Sequence, residues 1–252
     1  MWPLLRGLAE LVFSPVCLGC DAPVLPAADT PLVCARCRAR MPPPAAPRCR
    51  RCDAPLVLSG RAAGATCTDC DGWEGALTRA VSACVLQPPA DRLVHRLKYG
   101  GWRALAGPMA DLMARALPRV GRAGDAGEPV LVPVPTTRTR LRARGYDQAS
   151  LLAAALARRA SLRAVGALER TVSRGSQTAL QPSARRANVA GVFRPTPAMD
   201  PIRGRRVLLV DDVLTTGATA GECARVLAEA GAADVALVSF ARALDARRSD
   251  PR

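Results

Sequence analysis

This 252-residue chain is short of lysine, histidine and aromatic side chains: Lys98 and His95 stand alone, and Trp, Tyr and Phe together make 3% of the sequence. With so few aromatics, the stacking platforms of the usual single-strand binders are scarce, so any contact with nucleic acid would run mainly to phosphates and depend strongly on salt. No apolar run approaches the roughly 20 residues that span a bilayer. The opening stretch MWPLLRGLAELVFSP holds one arginine, an internal Glu10 and no small-residue cleavage site, which reads poorly as a signal peptide and predicts a cytoplasmic protein. The absence of G-x-x-x-x-G-K-[ST] excludes a P-loop.

What is present is a large apolar fraction, 49% of residues, and a net charge of +15. Length and hydrophobicity suffice for one sizeable α/β domain plus something smaller. Much of the arginine belongs to a general richness in Ala, Arg, Pro and Gly and solvates the surface, so its distribution says more than its total. Residues 1–72 carry eight basic and six acidic residues, whereas 135–186 carry eleven arginines against Asp147 and Glu169. The middle of the chain therefore expects a polyanion, either a phosphate compound or a nucleic acid.

Eight of the ten cysteines form four C-x-x-C pairs ahead of residue 71: Cys17/Cys20, Cys34/Cys37, Cys49/Cys52 and Cys67/Cys70. Thirteen residues separate the first two pairs and fourteen the last two, close to zinc-ribbon spacing. Two such knuckles complete a tetrahedral sulfur cage, so the pattern predicts two structural zinc sites with no open coordination position. Neighbour pairing closes the shortest loops and costs least chain entropy, while spacing alone leaves interleaved pairing open. Disulfides or redox C-x-x-C motifs are the competing account, disfavoured without a secretion signal. The module is poor in apolar residues, so metal would supply much of its folding free energy, on the order of 10 kcal/mol per site. Cys84 and Cys223 lie in apolar segments and read as buried structural thiols.

The cysteine pairs stop before DCDGWEG ends, which places a domain boundary near residue 73. The expected organisation is a cysteine module over 1–72, an α/β domain over 73–245 and a disordered tail over 246–252. Strands are predicted at 76–86, 129–135, 205–210 and 234–241. Helices are predicted at 89–101, at 102–118 with an interruption or late start at Pro108, at 147–160 and at 219–232. Helices alternating with continuously apolar strands predict a Rossmann-like, mostly parallel sheet covered on both faces, with ligands beyond the carboxyl ends of its strands.

One such end carries VLLVDDVLTTGAT, residues 207–219. Asp211 and Asp212 emerge from a buried strand, and the turn after them enters a helix. Backbone N–H groups and the helix dipole make that turn a phosphate cradle over Thr215, Thr216, Gly217, Ala218 and Thr219. Gly217 lets the backbone approach closely, and the threonine hydroxyls add donors. Two acids beside a phosphate need a second reason to exist, and a ribose supplies one, its vicinal hydroxyls donating to the carboxylates. Capping of the turn is the plainer account, but a single Asp would suffice for it. Upstream, PVPTTRTRLRARGYDQA (133–149) follows a strand end with Arg138, Arg140, Arg142 and Arg144, whose planar forks suit phosphate oxygens. For any one of them a solvated edge is the blander reading.

VLLVDDVLTTGAT resembles, position by position, the phosphoribosyl pyrophosphate (PRPP) signature of type I phosphoribosyltransferases. Joined to the four knuckles, HRLKYGG, the arginine segment and SQTALQPSARRANVAGVF, it makes the chain from Cys17 to about Arg242 similar to the ComF competence family, which couples a double zinc ribbon to a phosphoribosyltransferase domain. The resemblance implies that Asp211 and Asp212 hold the ribose, that Thr215 to Thr219 hold the 5′-phosphate, and that Arg140, Arg142 and Arg144 hold the pyrophosphate. It implies Mg²⁺ bound with PRPP, and a flexible hood around Gln177 closing over the acceptor. It further implies a role in uptake of single-stranded DNA during natural transformation, with DNA-uptake or recombination proteins as partners, and a homodimer, since dimers are common in this fold. The chain departs from the family at Tyr146-Asp147, where phenylalanine-asparagine is usual, and at Thr136 and Thr137, where a leucine and histidine are common. Asp147 adds negative charge near the expected pyrophosphate site.

The implied chemistry is displacement of pyrophosphate from PRPP by a nucleophile, with charge stabilisation and positioning doing the catalysis. Purine-salvage relatives place an acid where Thr215 stands, so its absence argues against a 6-oxopurine acceptor. The competing expectation is a non-catalytic factor that senses PRPP or docks DNA and proteins through its zinc module. His95 reads as a surface or half-buried helix position, and Lys98 as the better candidate for the site.

Overall fold

The computed structural model of the chain describes residues 15–24, 32–56, 67, 69–73, 75–121, 127–171 and 191–244. The first fourteen residues, the stretch around Gln177 and the tail at 246–252 lie outside the described residues.

Five strands lie side by side in the order β1 (Leu77–Val85), β7 (Asp234–Arg242), β6 (Arg206–Leu214), β2 (Val130–Pro133) and β3 (Arg163–Ala164), every neighbouring pair parallel. The apolar runs that form them divide their side chains between two faces with period two. Leu208 and Val210 of β6 join the core under α3 (Ala106–Val120) and α5 (Gln148–Ala160), which Met109, Met113, Leu152 and Leu156 fill. Val207 and Leu209 join the opposite core with Cys223 and Leu227 of α6 (Ala218–Glu229). A sheet buried on both faces by helices is the expected α/β architecture. Beside it, β4 (Leu168–Arg170) and β5 (Phe193–Pro195) pair antiparallel as a two-stranded ribbon.

Two local differences from the sequence reading bear on the site, and of the two options for the helix after Gly101 the late start holds. Strand β6 does not stop at Val210 but runs through both acids to Leu214, because pairing with the long β7 continues at Asp211 with Ser239 and at Val213 with Ala241. The helix after Gly101 starts late, at Ala106, so that Pro108 falls in its first turn, where a missing N–H costs no intrahelical bond. The four arginines after β2 are not on an extended edge. They lie on α4 (Arg138–Arg144), which begins where Thr137 accepts a hydrogen bond from the Arg140 N–H and ends at Gly145 with φ +72°.

The cysteine module resolves into two cages, Cys17/Cys20/Cys34/Cys37 and Cys49/Cys52/Cys67/Cys70, in each of which the sulfurs lie within 4.8 Å of one another. Neighbouring knuckles therefore pair, and the interleaved arrangement is excluded. Contacts such as Cys20–Cys34 at 3.9 Å and Cys49–Cys70 at 3.6 Å match the roughly 3.8 Å separation of sulfurs set tetrahedrally around zinc, and are far beyond a disulfide. Burial raises the Cys17 thiol, but backbone N–H donors from Cys34, Gly19 and Cys20 more than offset it and bring the group down to about 6. Four sulfurs at tetrahedral separation in each cage fit two structural zinc ions.

A signal in the sequence goes with this duplication: C-x-x-C-D-A-P occurs at 17–23 and again at 49–55. Asp21 and Asp53 both sit at φ +60°, a conformation aspartate tolerates, and each reaches out of its knuckle. Asp21 pairs with Arg96 of α2 (Ala90–Tyr99) at 2.5 Å. Asp53 accepts from the Ser82 N–H of β1 at 3.2 Å and pairs with Arg119 of α3 at 3.1 Å. The first cage thus rests on α2, and its Cys17 and Cys37 belong to the α3/α5 core. The second rests on the sheet, and its Cys49, Cys52 and Cys70 belong to the α6 core. Cys84 and Cys223 are fully buried, and burial pushes the Cys84 thiol up to about 12.

Candidate functional site

A cavity of about 460 Å³ opens beyond the carboxyl ends of β2 and β6. Its floor is the end of β6 with Asp211 and Asp212, continued by Thr215 and by Thr219 in the first turn of α6. One wall is α2, whose positions 91, 95, 98 and 99 recur at helical spacing, so Asp91, His95, Lys98 and Tyr99 face the cavity while Leu93 and Leu97 are buried behind. The other wall holds Thr136 after β2, Arg140 and Arg144 of α4, Gln148 of α5 and Arg170 of β4.

Because Asp211 and Asp212 are consecutive in a strand, their side chains leave on opposite faces, and the cavity wraps the strand end to meet both. Asp212, 3% exposed, turns toward α2, where Lys98 Nζ lies 2.6 Å from its Oδ2. That oxygen has no hydrogen-bond partner among the described residues, so the contact with Lys98 is an ion pair. Asp211 turns toward Arg170 and Cys223, its Oδ1 accepting from the Asp212 N–H at 2.8 Å. It opens on the cavity yet is crowded by protein on all other sides. That burial, and next the charge of Asp212, holds its carboxyl well above the usual range, Lys98 offsetting only part of the shift.

The turn after β6 is shaped as a cradle. Gly217 caps α6 at φ +80°, so the helix's first N–H groups and its positive dipole end face outward from a left-handed turn. Thr215 and Thr219 line the cavity. Thr216 does not: its hydroxyl accepts from the Ala218 N–H and its carbonyl from Nε1 of Trp73. Gly217 and Ala218 offer backbone only.

The arginines of α4 separate by face. Arg140 and Arg144, one turn apart, line the cavity, whereas Arg138 and Arg142 fall on the other side of the helix and do not. Arg144 donates to Gln148 Oε1 at 2.9 Å and lies 4.8 Å over the Tyr99 ring. Arg170, missed in the sequence, stands on the same wall. Burial and then the charge of Arg140 disfavour its cationic form, and Asp211 offsets this only in part. Two guanidiniums on one cavity wall, neither ion-paired to a carboxylate among the described residues, are an anion-binding arrangement. Asp147 spends both oxygens on backbone, Oδ1 accepting from Ala149 and Ser150 and Oδ2 from Thr136 at 2.9 Å. It fixes the loop before α4 and adds no free acceptor to the cavity. Tyr146 packs beneath α2 with its hydroxyl donating to the Leu97 carbonyl.

Gln177 lies outside the described residues, but the ends of its segment are held: Thr171 donates to the Val192 carbonyl, and the Gly191 N–H to Glu222 of α6 at 2.7 Å. Tyr99, 65% exposed, lines the cavity at the end of α2, and Trp102, 45% exposed, follows three residues later. Among the described residues no helix is long and apolar enough to cross a membrane.

Compared with known proteins, residues 8–71 match the double zinc ribbon domain family, and residues 146–251 match the phosphoribosyl transferase domain family. The chain is 30% identical over 157 residues to Competence protein F of Haemophilus influenzae, covering 62% of this chain and 69% of that protein. It is 29% identical over 198 residues to DNA utilization protein YhgH of Escherichia coli K12, covering 78% and 84%. Among solved structures it overlaps glutamine PRPP amidotransferase from B. subtilis with a TM-score of 0.35 and 18% identity, over 54% of this chain and only 26% of that one, so it spans about a quarter of that enzyme.

Proposed function

The chain belongs to the ComF competence family, a double zinc ribbon joined to a phosphoribosyltransferase domain, and on that premise we propose that its cavity binds PRPP with Mg²⁺ and transfers the phosphoribosyl group during handling of incoming DNA. One observation carries the reading: an acid pair, a helix-capping phosphate cradle and arginines not committed to carboxylates all line one cavity of about 460 Å³, a volume ordinary for a small-ligand site.

In this reading the 5′-phosphate sits on the 215–219 turn, with Thr215 and Thr219 hydroxyls beside the α6 amino terminus. Asp211 and Asp212 accept from the ribose hydroxyls, one from each side of the strand end, with Lys98 ion-paired to Asp212. The pyrophosphate lies against Arg140, Arg144 and Arg170. Carboxylate oxygens are hard ligands that fit Mg²⁺, which supplies charge neutralisation on the leaving pyrophosphate when bound. As the C1–O bond breaks, its electron pair leaves with the pyrophosphate, the arginines stabilise the departing charge, and the acids stabilise the oxocarbenium-like ribose. A nucleophile then adds at C1. An amine, a nucleotide or a nucleic-acid end are the acceptor classes. A DNA strand approaching the mouth would meet Tyr99 and a strongly basic middle segment, so its affinity would fall steeply with salt.

The test is pyrophosphate release from PRPP by the zinc-loaded protein with each acceptor class in turn. The reading expects release that depends on acceptor and disappears in the Asp211→Asn, Asp212→Asn variant. PRPP binding without release under any acceptor would make the chain a PRPP-sensing docking factor instead.

A further inference from the structure

The phosphate cradle is held from beneath by a side chain at the junction with the cysteine module, Trp73, three residues after Cys70. Gly217 is buried, and a Cβ there would lie 2.5 to 2.7 Å from atoms of the Trp73 indole, closer than any real contact. The same indole donates Nε1–H to the Thr216 carbonyl at 2.8 Å across 143 residues of chain. Because the Thr216–Gly217 peptide is trans, fixing that carbonyl on the indole turns the Gly217 N–H the opposite way, where it meets no protein acceptor among the described residues. One side chain therefore sets both the close approach of the glycine and the direction of a backbone donor.

Trp73 is in turn set by the second cage. It is 8% exposed, and its own N–H donates to the carbonyl of Cys70 at 3.1 Å. Arg51, between Cys49 and Cys52, donates to the carbonyls of Cys70 at 3.2 Å, Trp73 at 3.3 Å and Leu77 at 3.1 Å, with its guanidinium 5.8 Å from the indole ring. Two hydrogen bonds in series thus run from a cage cysteine through Trp73 to the loop. The first cage has a different seat, on α2 through Asp21 and Arg96.

We infer that Trp73 is a positioning residue of the phosphate loop, and that through it the loop and the second cysteine cage form one coupled unit in which an occupant of either stabilises the other. The inference rests on the reading of 215–219 as a phosphate cradle. Linkage makes the coupling reciprocal, so it can be read from the metal side without any turnover.

The probe is ribose 5-phosphate, which engages the cradle and the acids but not the arginine wall. Competition for zinc between the full-length protein and a chromophoric chelator is brought to equilibrium with and without it, in a Trp2→Phe, Trp102→Phe background that leaves Trp73 as the reporter indole. Ribose 5-phosphate should tighten one of two zinc equivalents against the chelator, and that equivalent should be the one Trp73 emission follows. Trp73→Phe keeps a ring over Gly217 but loses the N–H. It should weaken ribose 5-phosphate about 2- to 10-fold and shrink the protection, with both zinc equivalents still bound. No binding of ribose 5-phosphate by the wild type overturns the cradle reading and the coupling with it. Binding that leaves the chelator's equilibrium share of both zinc equivalents unchanged, or that is equally tight in Trp73→Phe, overturns the coupling alone.

Discussion

Asp211 is crowded by protein, adjoins Asp212 and draws only part of the charge of Lys98, so its carboxyl holds a proton in the folded chain at pH values where the unfolded chain has released it. Folding then becomes less favourable as pH rises from about 4 upward through that window, because the folded state binds more protons than the unfolded. Asp211→Asn should therefore raise the melting temperature of the ligand-free protein at pH 8, with the gain shrinking toward pH 4, while PRPP binding is lost. Thermal unfolding at several pH values checks both the direction and the trend. Arg170 carries a second prediction at this scale. Removing a charged donor from an anion site costs about 10- to 100-fold in affinity, so Arg170→Ala should weaken inorganic pyrophosphate by that factor in calorimetry and leave ribose 5-phosphate unchanged. Equal loss for both ligands would place Arg170 elsewhere than on the pyrophosphate.

Among the elements, the turn between β6 and α6 is the most constrained. Gly217 combines φ +80° with an indole lying where a side chain would begin. Gly217→Ala should cost at least about 2 kcal/mol in denaturant unfolding, well beyond what the backbone angle alone imposes in an open turn. The strands and long helices were legible because apolar periodicity is local information, and VLLVDDVLTTGAT is local too. The arginine segment was legible as a basic stretch but not as a helix. Its Thr137 cap and Gly145 terminus decide that Arg140 and Arg144 face the cavity while Arg138 and Arg142 do not. Arg170 was invisible in LERTVS, since only the pairing of β4 with β5 brings it to the wall. Trp73 was read as part of a boundary, because a contact with residue 216 leaves no trace in the spacing around it.

At the scale of the molecule, the two cages are not a detachable arm. Their cysteines belong to the cores on opposite faces of the sheet, and Arg242 at the end of β7 donates to the Cys52 carbonyl at 2.8 Å. Stripping zinc with a strong chelator should therefore lower the melting of the whole chain by at least about 10 °C, seen as loss of helical circular dichroism. Survival of the α/β signal at its original temperature would show that the modules fold independently. The central claim, a PRPP site built across the ends of β2 and β6, is tested most directly by calorimetric titration of PRPP with Mg²⁺ into the zinc-loaded wild type and the Asp211→Asn, Asp212→Asn variant. The account predicts saturable one-site binding to the wild type and none to the variant; a folded, zinc-loaded wild type that takes up no PRPP would contradict it.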